Sequence, residues 1–328
     1  MRPTNDLPNP PLAGQWFSFP LARLFETFGE VSGARAILAT MMTTHESDRL
    51  DPRIAQFKQE MFSLATGIAN AANGIGISYP AWDLKVREQV NKNLDPAISN
   101  VARLPDELAR AIMQVAGAHL HQIGQLMRSE FTTPATVAPL ARSALENIAL
   151  LLYINRPEDT PEERTVRAAR AIKCGMNRDK VHTMPGLVEL YDGLNTVVQR
   201  YTKKNVIPEL KTEDVKYDAM VKETLGELIG EDLYGELCSY THHNAWRAFY
   251  QFLAANENPT QLELDSLRFA YRASMAVAGG ALVLSNYRDT EGSEKYLSHI
   301  NESIALVQAL GQRIESYVDS LVVGPAPS

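Results

Sequence analysis

The chain contains little cysteine, with only Cys174 and Cys238 among 328 residues. Two thiols can form at most one disulfide, which excludes a disulfide framework. Basic residues are not in excess either, since 32 Lys and Arg are set against 39 Asp and Glu and the net charge is −7. This balance excludes a generally basic nucleic-acid-binding surface but not a local one. An apolar content of 45% excludes a disordered chain.

The sequence also lacks a long apolar run. The longest uninterrupted one covers residues 275–284, with two glycines at its centre, whereas a bilayer crossing needs about 20 apolar residues. The first eleven residues are rich in proline and asparagine and lack the basic start and apolar core of a signal peptide. We therefore expect a cytoplasmic protein that makes no contact with a membrane.

Several catalytic and metal-binding motifs are missing. The sequence has no His-Glu-x-x-His, no paired Glu-x-x-His, no Cys-x-x-Cys, no glycine-rich phosphate loop and no Gly-x-Ser-x-Gly. His119 and His121 are two positions apart, so on a helix they face nearly opposite sides. His242 and His243 are about 100° apart on a helix and are poor chelators for the same reason. We therefore predict no bound metal and no cofactor.

Signals for helices are dense. Asp51 and Thr133 each precede a proline, in the pattern of an N-cap followed by proline at the first helical position. The segments 160–163 and 260–263 both have the form of a capping box. No segment alternates polar and apolar residues in the manner of a strand. The sequence therefore predicts an all-α protein with a helical bundle as its core.

We expect about 11–13 helices. Their predicted ranges are residues 16–28, 31–44, 52–73, 81–94, 96–103, 106–130, 138–154, 161–182, 186–203, 212–229, 231–256, 261–289 and 291–321. Because Pro80 and Pro105 interrupt the N-terminal third, we also expect four regions along the chain. They are a disordered N-terminus over 1–12, an N-terminal helical layer over 13–104, the main bundle over 105–322 and a disordered tail over 323–328.

Two predicted helices combine apolar faces with polar interruptions. The segment 139–154 is apolar around most of its circumference, which is typical of a helix buried among other helices. Arg142 and Glu146 lie one turn apart on the same side of it. A buried ion without a partner costs several kcal/mol, so each charge needs a partner, and the two can satisfy one another.

The second such segment is 231–256, which we predict to be one continuous helix. Its apolar face consists of Cys238, Trp246, Phe249 and Leu253. His242 falls in the middle of this face and Ser239 lies one turn before it, so His242 is either a hydrogen-bonded core residue or part of a buried polar site. We expect Arg142 and Glu146 to meet Ser239 and His242. A Ser239–His242 nucleophile pair is conceivable, but no oxyanion feature accompanies it.

The order of these motifs resembles a group of bacterial helical proteins. In those proteins a helix with Arg-x-Leu-Glu precedes one with Tyr-x-x-x-Ser-x-x-His. Here the matching residues are 142–146, which read Arg-Ser-Ala-Leu-Glu and so have one residue more between Arg and Leu. About 95 residues later come Ser239 to His242, with Tyr234 one position further away than in that pattern. The group resembles the wider HEPN class, whose members are often metal-independent RNases of toxin and phage-defence systems. The resemblance covers roughly residues 106–290 and implies a HEPN-like helical fold rather than a particular reaction.

HEPN nucleases carry an arginine, a polar residue after it, and a histidine after four to six intervening positions. The arginine stabilises the phosphate, and the histidine acts as acid or base while a ribose 2′-OH attacks. The nearest match here joins Arg178 to His182 with three intervening residues, one fewer than that pattern. Cations at a helix C-terminus are also favoured by the helix dipole, which is a purely structural explanation.

The charges of the chain are distributed unevenly. Residues 164–182 include six basic side chains and one acid, whereas residues 209–265 include twelve acids and four basic side chains. The candidate RNA-binding residues are Arg164, Arg167, Arg170 and Lys173. Such an asymmetry can form a phosphate-binding face, or two faces that attract each other within the bundle or across a dimer. Because the four cations rotate around the helix instead of forming one stripe, the second explanation is favoured.

Gly279-Gly280 lies inside a predicted helix, where it costs about 1–2 kcal/mol relative to alanine. Close helix packing explains such a pair, either within the chain or across a dimer. Together with the charge asymmetry and the habit of HEPN-like proteins, it leads us to predict a homodimer.

Two functions of different class remain open. The first is a HEPN-like RNA-directed effector, a metal-independent RNase. Its catalytic site would be Arg142, Glu146, Ser239 and His242, or else Arg178 and His182. The second is a non-catalytic helical scaffold or a ligand- or partner-binding module, in which Arg142, Glu146 and His242 form a structural polar network.

Overall fold

The fold is known from a computed structural model. It describes residues 51–79, 83–94, 100–176, 186–204, 216–230, 232–242, 245–287 and 294–323. These residues form eleven α-helices and one 3-10 turn, and none of them belongs to a strand. The all-α prediction is therefore confirmed, and the helices pack as a bundle.

The helices are numbered here in chain order. They are α1 (Pro52–Ser78), α2 (Leu84–Leu94), the 3-10 turn (Val101–Arg103), α3 (Leu104–Met127), α4 (Pro134–Ile154), α5 (Pro161–Gly175), α6 (Leu187–Lys204), α7 (Tyr217–Ile229), α8 (Leu233–Thr241), α9 (Ala245–Glu257), α10 (Pro259–Tyr287) and α11 (Glu294–Val323).

Two of the predicted helix starts have the expected caps. The Asp51 carboxylate accepts a hydrogen bond from the backbone N–H of Arg53 at 2.8 Å, and α1 begins at the following proline. At the start of α5, the Thr160 hydroxyl accepts from the Glu163 N–H at 3.2 Å, and the Glu163 carboxylate accepts from the Thr160 N–H at 2.7 Å. This reciprocal pair is the capping box that the sequence predicts.

The start of α10 differs from the prediction. The helix begins at Pro259, and its first turn is capped by the Asn258 side chain, which accepts from the backbone N–H of Gln261 at 3.1 Å. Thr260 is therefore inside the helix and is not its N-cap. Glu263, the expected capping-box partner, is fully buried instead.

Glu263 joins α10 to α1 through a buried ion pair. Lys58 Nζ lies 2.9 Å from its Oε1, and the same oxygen accepts from the backbone N–H of Thr132 at 2.8 Å. The side chains of Lys58 and Glu263 are 5% and 0% exposed. Burial raises the pKa of Glu263, and the Lys58 ammonium opposes that shift. The pair therefore holds α1, α10 and the loop before α4 together.

The main core is built by α1, α3, α4, α10 and α11, with α7 and α8 packed against α4. Its largest fully buried side chains include Met61, Ile68, Met113, Leu145, Ile148 and Phe269. A methyl group at Gly280 of α10 would lie 2.9 Å from Ile148 of α4. Gly280 thus permits a close approach of two helices within the chain, and this packing accounts for the glycine without a second subunit.

A smaller core joins α2, the 3-10 turn, α5 and α6 through Val90, Val101, Val166, Ala169, Leu194 and Val197. Helix α1, in contrast, belongs to the main core. All described residues lie within one compact unit, and the expected boundary near residue 104 stays a prediction. The segments 1–50 and 324–328, which contain the predicted N-terminus and most of the predicted tail, lie outside the described residues.

Two helices are long and apolar enough to span a membrane by length and composition, namely Pro134–Ile154 and, within α10, Pro259–Ser285. Both lie mostly inside the bundle. Core helices of soluble proteins meet the same criteria, so these two are weak indications of a membrane segment.

Candidate functional site

Helices α4 and α8 position the candidate site. On α4, Arg142 and Glu146 project from consecutive turns. Helix α8 has nine residues, and it packs on the main core through Leu233, Tyr234 and Leu237, which are buried. Tyr234, near its start, and Thr241, its last residue, are bonded to side chains of α4.

The predicted helix over 231–256 is in fact two helices, α8 and α9. His242 is the C-cap of α8, and its backbone is extended, with φ −98° and ψ 116°. Its side chain is exposed and does not lie in the middle of an apolar face. Trp246 and Phe249 of the expected apolar face are 66% and 52% exposed. The prediction of one buried helix with a central histidine is wrong, because the helix ends at Thr241.

Arg142 is the centre of a polar cluster between α4 and α8. Its Nε donates to Glu146 Oε1 at 2.8 Å, and its Nη1 donates to the Thr241 hydroxyl at 2.7 Å. The same Nη1 lies 3.0 Å from Nε2 of His242. A guanidinium can only donate hydrogen bonds, so in this contact His242 Nε2 is the acceptor and the ring proton is on Nδ1. Arg142 therefore meets Glu146 and His242, as predicted.

Glu146 links the cluster to two tyrosines. The Tyr234 hydroxyl donates to Glu146 Oε1 at 2.6 Å, and the Arg142 guanidinium lies 5.7 Å from the centre of the Tyr234 ring. Burial and the Glu146 carboxylate together raise the pKa of Tyr234. Burial and the same carboxylate also raise the pKa of Tyr217, at the start of α7. The Glu146 carboxylate of α4 thus interacts electrostatically with side chains of α7 and α8 as well as of its own helix.

Ser239 does not join this cluster. Its hydroxyl donates to the backbone carbonyl of Glu236 at 2.6 Å and accepts from Arg247 Nε of α9 at 3.0 Å. The Glu236 carboxylate in turn lies 2.5 Å from Arg268 Nη2 of α10. Ser239 therefore belongs to a second polar group, on the side of α8 that faces α9 and α10. The expected meeting of Ser239 with Arg142, and with it a Ser239–His242 nucleophile pair, is not present.

Three of the four candidate RNA-binding residues are buried in α5. Arg164, Arg167 and Arg170 are 7%, 2% and 4% exposed. A guanidinium inside the protein cannot contact an RNA phosphate, so the expected RNA contact is not available at these positions. Lys173 is half-buried, and its Nζ lies 3.1 Å from the side-chain oxygen of Asn195 on α6.

The buried arginines of α5 bind groups inside the chain. Arg167 Nε lies 2.6 Å from the Asp159 carboxylate, and both side chains are almost fully buried. Burial raises the pKa of Asp159, and Arg167 opposes that shift. The Arg170 guanidinium donates to the Tyr153 hydroxyl of α4 at 2.9 Å. The local positive charge of α5 therefore serves packing within the bundle.

The alternative pair, Arg178 and His182, lies outside the described residues. So does His243. Cys174 and Cys238 are not joined in a disulfide. Among the described residues, no group of three or more His, Cys, Asp or Glu side chains is placed to hold a metal ion.

Sequence reasoning missed the hydroxyl groups of the cluster. The Thr241 hydroxyl accepts a hydrogen bond from Arg142. Nothing in the sequence distinguishes Thr241 from other helical residues, because its role depends on its place at the end of α8. Tyr234 had a signal, because it begins the Tyr-to-His motif. Its bond to Glu146 explains why a tyrosine at that position is useful to the fold.

Comparisons of the chain with family models, with curated proteins and with solved structures give no match. The resemblance to the HEPN class stays a prediction. The polar cluster around Arg142 and the surfaces near it are therefore the features that bear on function.

Proposed function

We propose that this protein is a non-catalytic helical scaffold or binding module in which Arg142, Glu146 and His242 form a structural polar network. The observation that carries the proposal is that the charged groups of the network are hydrogen-bonded to other members of the same network. Glu146 accepts from both Arg142 and Tyr234, while Arg142 also binds Thr241 and His242. A guanidinium and a carboxylate that satisfy each other in this way stabilise the contact between α4 and α8.

The chain offers a matched control for this proposal. Arg142–Glu146 and Arg103–Glu107 are both ion pairs of 2.8 Å between residues one helical turn apart. The first pair is about one quarter exposed and is bonded to α8, whereas the second is about half exposed. Exposed pairs contribute about 0–1 kcal/mol, while hydrogen bonds to charged groups inside a protein contribute about 1.5–3 kcal/mol.

The experiment compares Glu146→Gln with Glu107→Gln by urea denaturation. A structural network predicts that Glu146→Gln lowers the free energy of unfolding by about 1–3 kcal/mol and that Glu107→Gln changes it by less than about 0.5 kcal/mol. Equal effects of the two substitutions would contradict the proposal, because the bonds to α8 would then add nothing.

A second candidate function, a HEPN-like metal-independent RNase, is favoured by one specific observation. The exposed ring of His242 lies 3.0 Å from the Arg142 guanidinium. A histidine and an arginine side by side are suited to cleavage of RNA without a metal. When an RNA phosphate replaces His242 as the partner of the Arg142 guanidinium, Nε2 of the imidazole is free to take the proton of the ribose 2′-OH as it attacks phosphorus. The guanidinium then stabilises the negative charge on the phosphoryl oxygens. The bond between phosphorus and the 5′-oxygen breaks, the imidazolium returns its proton to the 5′-oxygen, and a 2′,3′-cyclic phosphate remains.

Cleavage of total RNA and of a tRNA pool in EDTA tests this candidate. His242→Ala removes the bond to Arg142 and is expected to lower thermal stability, by a small amount because His242 is exposed. It is expected to abolish cleavage if His242 is the acid–base group. His182→Ala, assayed in parallel, tests the alternative pair with Arg178. Cleavage that both variants retain would contradict both site assignments, and no cleavage by the parent protein would favour the scaffold.

A further inference from the structure

A cleft of about 300 Å³ lies between the N-terminal half of α10 and the C-terminal half of α11. Its lining includes Leu264, Asp265, Arg268, Tyr271, Ile314 and Val318. Leu264 and Ile314 are buried, and Val318 is half-buried. The cleft thus has an apolar floor beside charged side chains, and it is separate from the Arg142 cluster.

Gly311 makes the cleft possible. A methyl group at this position of α11 would lie 2.5 Å from the Tyr271 ring of α10. The ring therefore packs directly on the backbone of α11 and forms one wall of the cleft. Any larger residue at position 311 would push the ring away from its present place.

The two arginines of the lining already have acidic partners. Arg272 lies 3.3 Å from the Glu315 carboxylate and also donates to the backbone carbonyl of Leu228. Arg268 lies 2.5 Å from the Glu236 carboxylate. Neither guanidinium is therefore suited to be the main partner of an incoming anion.

The charge of Asp265 is less completely balanced. Its side chain is 14% exposed, and Arg268 is 4.0 Å away, at the limit of an ion pair. Among the described residues, its hydrogen bond comes from the neutral amide of Gln261, at 3.0 Å. Burial raises the pKa of Asp265, and the Arg268 and Arg247 guanidiniums and the Gln261 amide offset that shift only in part. Burial raises the pKa of the neighbouring Tyr240 to about 12, and the negative charge of Asp265 is the second cause of that shift.

We propose that this cleft binds a small organic cation, with an ammonium group on Asp265 and an apolar body on Leu264, Ile314 and Val318. An ammonium ion supplies the donors that the carboxylate lacks, and a charge-assisted hydrogen bond in a partly buried site is strong. The buried side chains of Leu264 and Ile314 give the cleft an apolar floor, and charged side chains lie around it. Carboxylates outnumber guanidiniums in the lining, with Asp265, Glu315 and Asp319 against Arg268 and Arg272.

The inference goes beyond the proposed scaffold function, because it does not depend on the Arg142 network. Its test is direct binding to the full chain of n-hexylammonium, measured by isothermal titration calorimetry. Hexanoate and 1-hexanol have the same apolar chain with a negative and a neutral head. We expect n-hexylammonium to bind and the other two to bind at least about tenfold more weakly.

Two variants locate the site. Asp265→Asn keeps the shape of the side chain and removes its charge, and we expect it to weaken binding of n-hexylammonium about tenfold or more. Glu302→Gln, at an exposed position of α11 outside the lining, is the matched control and should leave binding unchanged. Gly311→Ala, which displaces Tyr271, should weaken binding without altering any charge.

The proposal is overturned if n-hexylammonium does not bind at millimolar concentration, or if Asp265→Asn binds it as tightly as the parent protein. Tighter binding of hexanoate than of n-hexylammonium would also overturn it, and would assign the cleft to an anion on Arg268 and Arg272. None of these outcomes affects the comparison of Glu146→Gln with Glu107→Gln, so the two proposals fail separately.

Discussion

Arg142 Nη1 lies 3.0 Å from Nε2 of His242, although 100 positions separate the two residues in the sequence. The contact forms because α4 presents Arg142 towards the point where α8 ends, and the extended backbone of His242 turns its ring back to α4. Glu146 holds the guanidinium in this orientation from one turn further along α4. A short helix is thus fixed to a central helix by polar groups at its end.

The hydrogen bond between Tyr234 and Glu146 should contribute measurably to stability. The bond is 2.6 Å long, and Tyr234 is 4% exposed. Tyr234→Phe removes the donor and keeps the ring, so we expect the free energy of unfolding to fall by about 1–2 kcal/mol in urea denaturation. In a double-mutant cycle with Glu146→Gln, we expect a coupling energy of about 1 kcal/mol. Strictly additive effects would show that the two side chains do not interact in solution.

The ion pair of Lys58 and Glu263 predicts a large effect of removing one partner. Lys58→Met leaves the Glu263 carboxylate buried without its cation, so we expect a loss of about 3–5 kcal/mol in the free energy of unfolding. The double variant Lys58→Met/Glu263→Leu removes both charges and should recover part of that loss. Lys85→Met, at an exposed position of α2, is the control. A loss below about 1 kcal/mol for Lys58→Met would mean that water reaches the pair.

Glycines of the bundle should respond to alanine according to the space around them. A methyl group at Gly280 would meet Ile148 at 2.9 Å, whereas at Gly226 of α7 it would meet nothing within 4 Å. We expect Gly280→Ala to lower stability by about 1–3 kcal/mol through overpacking. Gly226→Ala should raise stability by up to about 1 kcal/mol, because alanine favours the helix. Thermal unfolding followed by circular dichroism measures both, and a stabilising Gly280→Ala would contradict the close approach of α4 and α10.

Asp265 should give the stability a dependence on pH. Burial raises its pKa above the ordinary value of 3.8, so the folded protein holds this proton more tightly than the unfolded chain does. Stability is therefore lost as the pH rises through the ordinary and then the raised pKa, and the loss is absent below both values. We expect Asp265→Asn to gain stability relative to the parent protein at neutral pH.

Denaturant midpoints of both proteins between about pH 3 and pH 7 measure this difference. It should shrink as the pH falls through 3.8, because Asp265 is protonated in both states below that value. A difference that is constant across the range would show that Asp265 titrates normally in the folded protein.

Part of the site follows from the sequence because its causes are local. Arg142 and Glu146 are one turn apart in an apolar helix, so helix geometry alone brings them together. The sequence also indicates His242 as a partner, since a second helix carries a polar interruption. It does not indicate the end of α8 at Thr241, because no proline or glycine occurs between 241 and 245. Because the end of α8 was not predicted, Ser239 was wrongly expected to lie beside Arg142.

Other features depend on contacts between distant parts of the chain. Glu263 has the spacing of a capping box, but the cation that binds it is Lys58, 205 positions away. Arg167 looks like part of a solvated basic helix until Asp159 is brought against it in the interior. Local patterns describe the fold class and most of the helices well. They do not say which charged side chains find partners inside the bundle.

The two faces of α8 are held by independent sets of bonds, one to α4 through Tyr234 and Thr241 and the other to α9 and α10 through Ser239 and Glu236. If the bonds of one set are removed, the bonds of the other set still attach α8 to the bundle. In a variant that lacks one set, amide hydrogen exchange within α8 should therefore accelerate while that of α4 and α10 stays slow. Helix α8 should then open as a local unit, at a lower free energy than global unfolding requires. Helix α8 can thus detach from one neighbour while it stays bound to the other.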